Sequence, residues 1–504
     1  MSVAFCATLI AQTKSAKRGV CWDEKTQSLS EQPVAKLSPG ISWVYNWGVA
    51  TNQEVSTVGP DRDLEFVPMC WNDAFDDSKL RAWLSSHPGA RYLLGFNEPN
   101  LSWNVGGSQM TPQQAATAWP RVKQVAADYG LELVAPALNF SGDQVGDRVW
   151  EPFAWYDEFL RLLNEADIDP AIDYLAFHSY MNWYSAVNWV ATEYFYTDKE
   201  SSDLFSTANK GRYPNLVKYL EDYKEAHGHF PKMFLTEFCS YEGDKDGYVS
   251  SVDSQIDQMT QKVQNLEQSD LVAGYAWFMA NMSQAPTVYP YNSLFMSNTA
   301  TSELSDLGKV YVYMSAFDTE HWYNAAETVL AKDYVDASTD NQQAKVRPNS
   351  EDGSDIPLQV EWQSSAWTAY QITLPADGTY TLKLHMKSTA DNDFRIYEDA
   401  LGSSNRRLNT TLPSTGGVWK DVTTQVTLPA GQHTLLLYNM GTSSIFINSF
   451  SFESSTDGIK MIEERGDERA RERECTYNIA GQKVSGSYKG IVIKGGKKFV
   501  QYIH

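Results

Sequence analysis

Eight short apolar segments, separated by longer amphipathic stretches, most strongly constrain the fold of this 504-residue chain. Each segment reads as a buried strand that ends in polar or aromatic residues. The segments are 19–22, 41–47, 64–71, 92–97, 131–139, 174–180, 233–238 and 272–278. The intervening stretches carry apolar residues at helical spacing, for example in 112–129 and 150–164. This alternation predicts an α/β fold of the (β/α)8, or TIM, barrel type.

Two glutamates directly follow or end two of these strands. Glu98 lies in Gly-Phe-Asn-Glu-Pro-Asn (95–100), after the fourth segment, and Glu237 lies in Leu-Thr-Glu-Phe (235–238), in the seventh. Barrel enzymes carry their chemistry at the C-terminal ends of strands, and two carboxylates suit an acid/base and a nucleophile. Either motif alone has a plain explanation, as a helix cap or as a solvated charge that closes a strand. The pair together predicts a glycoside hydrolase.

The same motifs also resemble a known family. Together with Ala-Phe-His-Ser-Tyr at 176–180 and Gly-Tyr-Ala-Trp-Phe at 274–278, they resemble glycoside hydrolase family 128 of the retaining (β/α)8 clan. The resemblance spans roughly the first 315 residues, a length normal for one such barrel. It implies cleavage of β-1,3-glucan, by endo action, through a covalent glycosyl-enzyme. Glu98 would be the acid/base and Glu237 the nucleophile, and no cofactor is implied.

Further substrate-binding residues are predicted near these two glutamates. Asn97 corresponds to the clan's amide that binds the sugar 2-hydroxyl. His178 and Tyr180 alternate along the sixth strand, so both are predicted to face one layer of the barrel. Trp277 resembles the aromatic floor under the sugar at the cleavage point. Loop or core packing is the plain alternative for each of these residues.

Many aromatic residues at strand ends and in loops are candidates to form glucan subsites. They include Trp22, Trp47, Trp71, Trp103, Trp183, Tyr184 and Trp189. Two of them, Trp103 and Trp183, are the strongest candidates because they lie just past the Glu98 strand and the His178 strand. The predicted partner is therefore a β-glucan or its oligosaccharides.

Several alternatives remain open at this point. Asn-Glu-Pro recurs across the clan, so a β-1,4-glucanase, a β-mannanase or an exo-acting glucosidase would carry the same signature. A non-catalytic glycan-binding protein belongs to another class, and the presence of both carboxylates speaks against it. A metal-dependent hydrolase is disfavoured, because the sequence has no HExxH motif or comparable ligand cluster. We expect no metal.

Charge, hydropathy and cysteine content further narrow the class of protein and its possible partners. The formal net charge of −22, from 63 acidic and 41 basic side chains, argues against nucleic acid or an anionic membrane as partner. A neutral glycan is compatible with it, as is plain solubility. No apolar run reaches the length of about 20 residues needed to span a bilayer. Five cysteines without CxxC spacing indicate neither a zinc site nor a disulfide framework, and Cys21, Cys70 and Cys239 are predicted to be buried thiols.

The chain is too long for one core, so a second domain is predicted. Short alternating strands follow the barrel at 368–374, 379–386, 393–397, 419–428, 433–438 and 445–452, a pattern typical of an all-β jelly-roll sandwich. The runs at 374–384 and 426–437 resemble a carbohydrate-binding module of family 6. That resemblance implies a sugar site with Trp419 as a stacking ring and Asn448 as an amide that binds hydroxyls.

The two ends of the chain suggest export. Residues 1–17 read as a remnant signal peptide or a buried first helix. The last thirty residues resemble the C-terminal secretion domains of Bacteroidetes exoproteins, which implies contact with a secretion machinery and a secreted or cell-surface enzyme. The predicted domains are the remnant (1–17), the barrel (18–317), the sandwich (318–455), a charged linker (456–474) and the secretion-type tail (475–504).

Overall fold

The structure is a computed structural model that describes most of the chain. The described residues are 14–26, 30–51, 64–180, 211–243, 248–281, 289–339 and 343–454, with the backbone of 476–478, 483–484, 490–494 and 497–501. The helices are α1 (Glu31–Leu37), α2 (Asp77–Ser86), α3 (Pro112–Tyr129), α4 (Pro152–Glu165), α5 (Pro214–His227), α6 (Val252–Gln268) and α7 (Asp306–Tyr313). Single 3-10 turns lie at Trp103–Val105 and Ser403–Asn405.

The first part of the chain contributes one parallel sheet and a short hairpin. Its strands are β1 (Arg18–Cys21), β2 (Trp43–Tyr45), β3 (Glu65–Phe66), β4 (Tyr92–Leu94), β5 (Glu132–Val134), β6 (Leu138–Asn139), β7 (Gln144–Val145), β8 (Arg148–Val149), β9 (Tyr174–Ser179), β10 (Lys232–Phe238) and β11 (Val272–Trp277). Each of the eight predicted segments overlaps at least one of these strands.

The strand order is β3-β2-β1-β11-β10-β9-β5-β4, with β6 also paired to β9, and every pair is parallel. The two outer strands meet as well. A parallel bridge joins Met69 to Leu94, and the Cys70 N–H donates to the Leu94 carbonyl at 2.9 Å. The parallel sheet with its helices confirms the (β/α)-type catalytic domain.

Local signals explain where the helices begin and end. The Thr111 hydroxyl accepts from the Gln114 N–H, and the Gln114 side chain accepts from the Thr111 N–H, so a capping box starts α3. Gly130 ends the helix with φ +65°. Helix α3 coincides with the predicted 112–129. Helix α4 begins two residues later than predicted, because the Glu151 side chain caps it.

Aromatic side chains fill the end of the barrel where the strands begin. The Phe234 ring lies 5.6 Å from Trp43, 5.2 Å from Tyr92 and 5.2 Å from Tyr174, measured between ring centroids. These rings pack closely against one another inside that end of the barrel. The functional site is therefore expected at the opposite end, where the strands finish. The thiols of Cys21, Cys70 and Cys239 are buried, as predicted.

The following part of the chain is antiparallel apart from one short pair. Its strands are β12 (Tyr323–Asn324), β13 (Val329–Leu330), β14 (Asp336–Ala337), β15 (Ala344–Pro348), β16 (Leu358–Trp362), β17 (Trp367–Leu374), β18 (Gly378–Ser388), β19 (Asn392–Glu398), β20 (Arg406–Leu412), β21 (Lys420–Leu428), β22 (Gly431–Asn439) and β23 (Ile445–Ser454). One sheet has the order β12-β17-β22-β19-β20 and the other β15-β16-β23-β18-β21.

The two sheets face each other across an apolar core. Tyr370 of the first sheet lies 4.7 Å from Phe450 of the second, and Trp362 of the second stacks at 6.0 Å on Phe394 of the first. This agrees with a sandwich, while the jelly-roll connectivity and the domain boundaries stay predictions. Sequence patterning missed the strands β12 to β16, which precede the first predicted segment of the sandwich. It also missed β20, because its exposed edge carries polar residues where alternation needs apolar ones.

Polar contacts join helix α6 to the first strands after the barrel. Asp257 lies 2.7 Å from the Arg347 guanidinium and 3.0 Å from the Lys345 ammonium, and its carbonyl accepts from Gln343 at 2.8 Å. Gln264 donates to Asp336 at 2.7 Å. The second part of the molecule is thus anchored on the outside of the barrel.

The C-terminal part forms a small antiparallel sheet of β24 (Thr476–Asn478), β25 (Lys483–Val484), β26 (Gly490–Lys494) and β27 (Lys497–Gln501), in the order β25-β24-β26-β27. Its secretion role stays a prediction. Residues 1–13 of the predicted remnant and the predicted linker lie outside the described residues. Among the described helices, none is both long and apolar enough to cross a membrane.

Candidate active site

A cavity of about 1300 Å³ opens where the parallel strands end. Glu98 and Glu237 both lie in its wall, with Asn97 and Tyr180 beside them. Both carboxylates are buried within it. The cavity therefore brings together residues that are up to 140 positions apart in the sequence, as expected for the C-terminal end of a barrel.

Backbone contacts hold Glu98 in an unusual conformation. Glu98 has φ +42°, in the left-handed region that residues with a side chain rarely adopt. Its N–H donates to the Ala137 carbonyl at 2.8 Å, and its carbonyl accepts from Leu101 at 3.0 Å. Gly95 makes the approach possible, because a Cβ there would lie 2.8 Å from the Val134 carbonyl oxygen. Such local strain is typical of functional sites.

A β-bulge turns Glu237 towards the cavity. Along β10, Leu235 pairs with Phe177, but the next register position pairs Glu237 with His178, so Thr236 is the extra residue. Strict alternation would place Glu237 on the same face as Leu235, which packs in the core outside the barrel. The bulge instead directs its carboxylate into the site.

Three side chains donate hydrogen bonds to the Glu237 carboxylate. The Tyr45 hydroxyl and the Trp47 indole N–H reach Oε1 at 3.0 Å and 2.8 Å, and the Tyr180 hydroxyl donates to Oε2. Burial is the largest influence on the pKa of Glu237 and raises it, while His178 lowers it. The Glu98 charge raises this pKa further and the Tyr180 and Trp47 donors lower it, so that the net shift is upward. These donors favour the ionised carboxylate.

His178 lies between the two carboxylates. Its Nδ1 is 2.7 Å from Glu98 Oε1 and 3.3 Å from Glu237 Oε2, and its Nε2 is 2.9 Å from the Thr236 hydroxyl. Because Nδ1 faces two acceptors, that nitrogen carries the hydrogen. Burial lowers the pKa of His178, but the two carboxylates outweigh it and the pKa is raised.

The contacts of Glu98 concentrate on one of its oxygens. The Asn139 amide donates to Oε1 at 2.7 Å, and His178 approaches the same oxygen. Within the described part of the chain, no hydrogen bond is found to Oε2. One oxygen of Glu98 and one of Glu237 lie within 4.8 Å of each other.

Asn97 keeps an acceptor available in the cavity wall. Its side chain is only 3% exposed, and its Nδ2 makes one long contact of 3.4 Å to the Gly106 carbonyl. Among the described residues, its buried Oδ1 has no hydrogen-bond partner. A buried acceptor without a donor is costly unless a ligand supplies one, which suits the predicted contact with a sugar hydroxyl.

Aromatic rings line both sides of the carboxylate pair. Trp103, 55% exposed, lies 5.1 Å from Trp71, and both are in the cavity wall. On the side of Glu237, the ring of Tyr180 stacks on Tyr241 at 6.0 Å and meets Phe278 edge-on at 5.4 Å. The predicted Trp183 lies outside the described residues.

Trp277 is a wrong prediction. Its ring is fully buried, its Nε1 donates to the Asn292 carbonyl at 2.8 Å, and it packs against Phe238 and Tyr311 outside the sheet. The next residue, Phe278, lines the cavity instead. Successive strand residues point to opposite faces, so the motif selected the residue one position before the one that faces the cavity.

Asn448 is also a wrong prediction as a sugar ligand. It is fully buried, and its amide donates to Glu351 Oε2 at 2.7 Å. Trp419 is half-buried, its ring parallel to that of His385 at 5.6 Å with the Lys387 ammonium 5.2 Å away. Trp419 therefore stays a prediction, as does glycan binding by this part of the chain.

The site residues missed by sequence reasoning are Tyr45, Asn139, Tyr241 and Phe278, together with Trp47, which was only one of many aromatic candidates. Tyr45 lies in an ordinary apolar strand and Asn139 near the end of another, so nothing local distinguishes them. Only the folded barrel identifies them, because β6 pairs with the His178 strand β9, while Tyr45 contacts Glu237 although β1 and β11 lie between β2 and β10 in the sheet.

Two groups of side chains in the described residues have a metal-like arrangement. They are Glu98 with His178 and Glu237, and Glu398 with Asp399 and His433. In the first group, Tyr45, Trp47 and Tyr180 already donate to the Glu237 oxygens that a cation would need. In the second, Arg407 pairs with Glu398. Both arrangements suit hydrogen-bonded carboxylates better than metal ligands.

Comparison with known proteins identifies the family. The model described as "Glycosyl hydrolase catalytic core" matches residues 19–201 and 205–311, more than half of the chain. The chain belongs to this family. As a glycosyl hydrolase, it carries Glu98, His178 and Glu237 within the matched region. No curated protein matches the chain significantly.

Similar solved structures include three β-1,3-glucanases of glycoside hydrolase family 128. The subgroup II endo-β-1,3-glucanase from Pseudomonas viridiflava is 33% identical, over 60% of this chain and 98% of that one, with a TM-score of 0.45. The subgroup II enzyme from Sorangium cellulosum is 27% identical over 59% and 98%, with a TM-score of 0.40. The subgroup V exo-β-1,3-glucanase from Cryptococcus neoformans is 24% identical over 59% and 98%, with a TM-score of 0.39.

Proposed function

We propose that this glycosyl hydrolase is a retaining endo-β-1,3-glucanase of family 128. The observation that carries the proposal is the close carboxylate pair, with oxygens of Glu98 and Glu237 within 4.8 Å. Retaining enzymes keep their carboxyl groups about 5–5.5 Å apart, whereas inverting enzymes need about 6.5–9.5 Å to admit a water. The sequence motifs, and the 33% identity to the Pseudomonas viridiflava endo-β-1,3-glucanase, support the β-1,3 preference.

The donors around the two carboxylates support their roles. Three hydrogen bonds stabilise charge on Glu237, as a nucleophile requires. At Glu98 the Asn139 and His178 contacts meet at Oε1, which leaves Oε2 to carry the acid proton. In the first step this proton passes to the glycosidic oxygen, the C1–O bond breaks, and a Glu237 oxygen bonds to C1.

The second step reverses these exchanges with water. Glu98, now a carboxylate, takes a proton from the water while the water oxygen bonds to C1 and the ester bond to Glu237 breaks. The anomeric configuration is inverted twice and so is retained. Asn97, with its acceptor oxygen in the cavity wall, would bind the 2-hydroxyl, a contact that strengthens in the transition state.

Aromatic surface on both sides of the carboxylates supports endo action. A chain bound across the cavity would contact Trp71 and Trp103 on one side and Tyr180 and Tyr241 on the other. An exo-acting enzyme instead needs a binding surface on only one side of the carboxylates, in a cavity that is closed at its end.

We also propose that the protein is exported, on the basis of its two terminal segments. Cell fractionation tests this directly, and retention of the full-length protein inside its native cells would contradict it.

Product analysis on linear β-1,3-glucan, β-1,4-glucan and β-mannan tests the proposal. We expect a ladder of oligosaccharides from the β-1,3 polymer alone, with the β-anomer formed first as read by NMR. Both Glu98→Gln and Glu237→Gln should abolish it, whereas Glu225→Gln, an exposed glutamate on α5, should not. Cleavage of a β-1,4 polymer only would assign the chain elsewhere in the clan. Tight glycan binding without product would make it a binding protein.

A further inference from the structure

The turn that follows β2, residues 46–51, places the indole of Trp47 against Glu237. The indole N–H donates to Oε1 of the carboxylate at 2.8 Å. Trp47 has φ +59°, a left-handed backbone conformation that a bulky residue rarely adopts. Such a conformation persists only where neighbouring contacts hold it. The contacts that hold the 46–51 turn therefore also hold this donor on the carboxylate.

Asn46 closes the turn from within. Its Oδ1 accepts from the Gly48 N–H at 2.9 Å, and its Nδ2 donates to the Ala50 carbonyl at 3.1 Å. The Gly48 carbonyl accepts from the Met69 N–H at 3.0 Å, which ties the turn to the segment after β3. An amide nitrogen carries two hydrogens, so Asn46 has a second one to donate. A carboxylate oxygen of Glu24 lies 2.7 Å from this nitrogen and accepts it.

Glu24 binds both ends of the 46–51 turn. Its Oε2 accepts from Asn46, and its Oε1 accepts from the Thr51 hydroxyl at 2.5 Å. One carboxylate thus bridges the first and last residues of the turn, with Trp47 between them. Glu24, Asn46 and Trp47 all lie in the wall of the active-site cavity, but the two catalytic steps do not use Glu24.

The segment that carries Glu24 is anchored independently of the turn. Asn281, which is fully buried after β11, accepts from the Asp23 N–H at 2.9 Å and donates to the Asp23 carbonyl at 3.0 Å. The Ala280 N–H donates to the Cys21 carbonyl at the end of β1, also at 3.0 Å. Because these bonds fix the chain on either side of Trp22, the carboxylate of Glu24 starts from a held position. It can therefore orient the turn rather than follow it.

We propose that Glu24 is a positioning residue that fixes the 46–51 turn through Asn46 and Thr51 and so keeps the Trp47 indole on the nucleophile. Its effect on catalysis rests on the proposed function. What the turn needs from Glu24 is two hydrogen-bonding atoms. Glu24→Leu removes both at similar size. Glu24→Gln keeps an acceptor for Asn46, and its amide N–H bonds to Thr51 once the hydroxyl turns to accept.

The direction of the pH effect separates this role from an effect of charge. If the indole leaves Glu237, the ionised carboxylate loses a donor, so the acid limb of the kcat/KM profile moves to higher pH. Loss of the negative charge of Glu24 alone would favour the ionised nucleophile and move that limb to lower pH. The other titratable groups beside Glu237 and Glu24, which all the variants keep, are Cys21 on β1, Asp23 and Lys25 after it, Tyr45 on β2, Glu98 after β4, His178 on β9, Tyr180 after it and Cys239 after β10.

The test is the pH profile of kcat/KM on a soluble β-1,3-glucan for wild type, Trp47→Phe, Glu24→Leu, Glu24→Gln and the double variant of Glu24→Leu with Trp47→Phe. We expect the acid limb to rise by about 1 pH unit in Trp47→Phe, by no more than this in Glu24→Leu, and not in Glu24→Gln. The double variant should match Trp47→Phe, because the donor that Glu24 positions is already gone. A limb that stays or falls in Glu24→Leu, or that rises further in the double variant, would overturn the proposal.

Two substitutions of Thr51 give a second comparison that leaves the carboxylate in place. Thr51→Val removes one of the two donors to Glu24 at nearly constant volume, whereas Thr51→Ser keeps the hydroxyl. We expect the acid limb to rise in Thr51→Val, by less than in Trp47→Phe, and to stay in place in Thr51→Ser. Equal profiles for the two Thr51 variants would contradict the proposal even if Glu24→Leu does not fold.

The indole N–H resonance of Trp47 in NMR spectra supplies an arm that needs no activity. It is assigned by its loss from the spectrum of Trp47→Phe. We expect it to move upfield in Glu24→Leu, as the hydrogen bond to the charged acceptor lengthens, and to keep its place in Glu24→Gln. A resonance that does not move in Glu24→Leu would refute the positioning role. If the wild type cleaves no glycan, the proposed function fails while this arm still decides whether Glu24 positions Trp47.

Discussion

Removing the hydroxyl of Tyr180 is expected to shift the acid limb of the pH profile upward. This hydroxyl donates a hydrogen bond to Oε2 of Glu237, while Tyr45 and Trp47 donate to Oε1. A hydrogen bond to a charged group contributes about 1.5–3 kcal/mol. One pKa unit corresponds to about 1.36 kcal/mol, so Tyr180→Phe should raise the pKa of Glu237 by about 1–2 units.

The direction follows from the proposed role of Glu237 as the nucleophile. The nucleophile attacks only when ionised, and the lost donor favoured the ionised form, so a higher pH is needed to reach the same active fraction. Above the shifted limb most of the activity should remain, because Tyr45 and Trp47 still hold the other oxygen. A purely structural role of Tyr180 would lower activity at every pH without moving the limb.

The assay is kcat/KM on a soluble β-1,3-glucan as a function of pH, for wild type, Tyr180→Phe and Tyr156→Phe. The last variant is a matched control, because it also removes a buried tyrosine hydroxyl, one bonded to the Pro136 and Ala176 carbonyls rather than to Glu237. An acid limb that stays in place in Tyr180→Phe, or that moves equally in both variants, would refute the reasoning.

Four other substitutions test the fold and the corrected site. Arg18→Met leaves Glu267 buried without its ion-pair partner at 3.3 Å and should lower the free energy of unfolding by about 3–5 kcal/mol in urea titrations, and an unchanged midpoint would contradict this. Trp277→Phe should lower the thermal midpoint with KM unaltered, whereas Phe278→Leu should raise KM, and the reverse pattern would restore Trp277 to the cavity. Asp257→Ala removes the contacts of α6 with Arg347 and Lys345 and should lower the free energy of unfolding by about 1–3 kcal/mol. Calorimetry measures this change, and an unchanged stability would contradict it.

The strands were predictable because each one is a short apolar run, and parallel strands buried on both faces leave that signature. What a run does not reveal is which of its faces points inward. Ala276 of β11 and Phe278, the residue just after the strand, face inward and Trp277 packs outside, although all three are apolar. On β10 the bulge at Thr236 changes the phase within the strand, so the alternation that holds for Phe234 fails at Glu237.

The position of the two candidate catalytic glutamates in one cavity was predictable from their motifs, but the residues that contact them were not. Tyr45 and Asn139 come from strands that are remote from both glutamates in the sequence, and only the convergence of the strand ends in the barrel brings them into contact with Glu237 and Glu98. Asn448 failed for the opposite reason, since its motif was recognised but its side chain turned out to be fully buried and bonded to Glu351.

The two carboxylates share one cavity, and the hydrogen bonds rather than the burial distinguish them. Both are nearly inaccessible to solvent. Glu237 receives donors on both oxygens, while the contacts of Glu98 meet on one. Positive φ angles at Glu98 and at the donor Trp47, +42° and +59°, hold these groups in place at a conformational cost that ordinary loops avoid. Under the proposed mechanism this difference in hydrogen bonding is the asymmetry that a double displacement needs, because one carboxylate attacks while the other exchanges a proton.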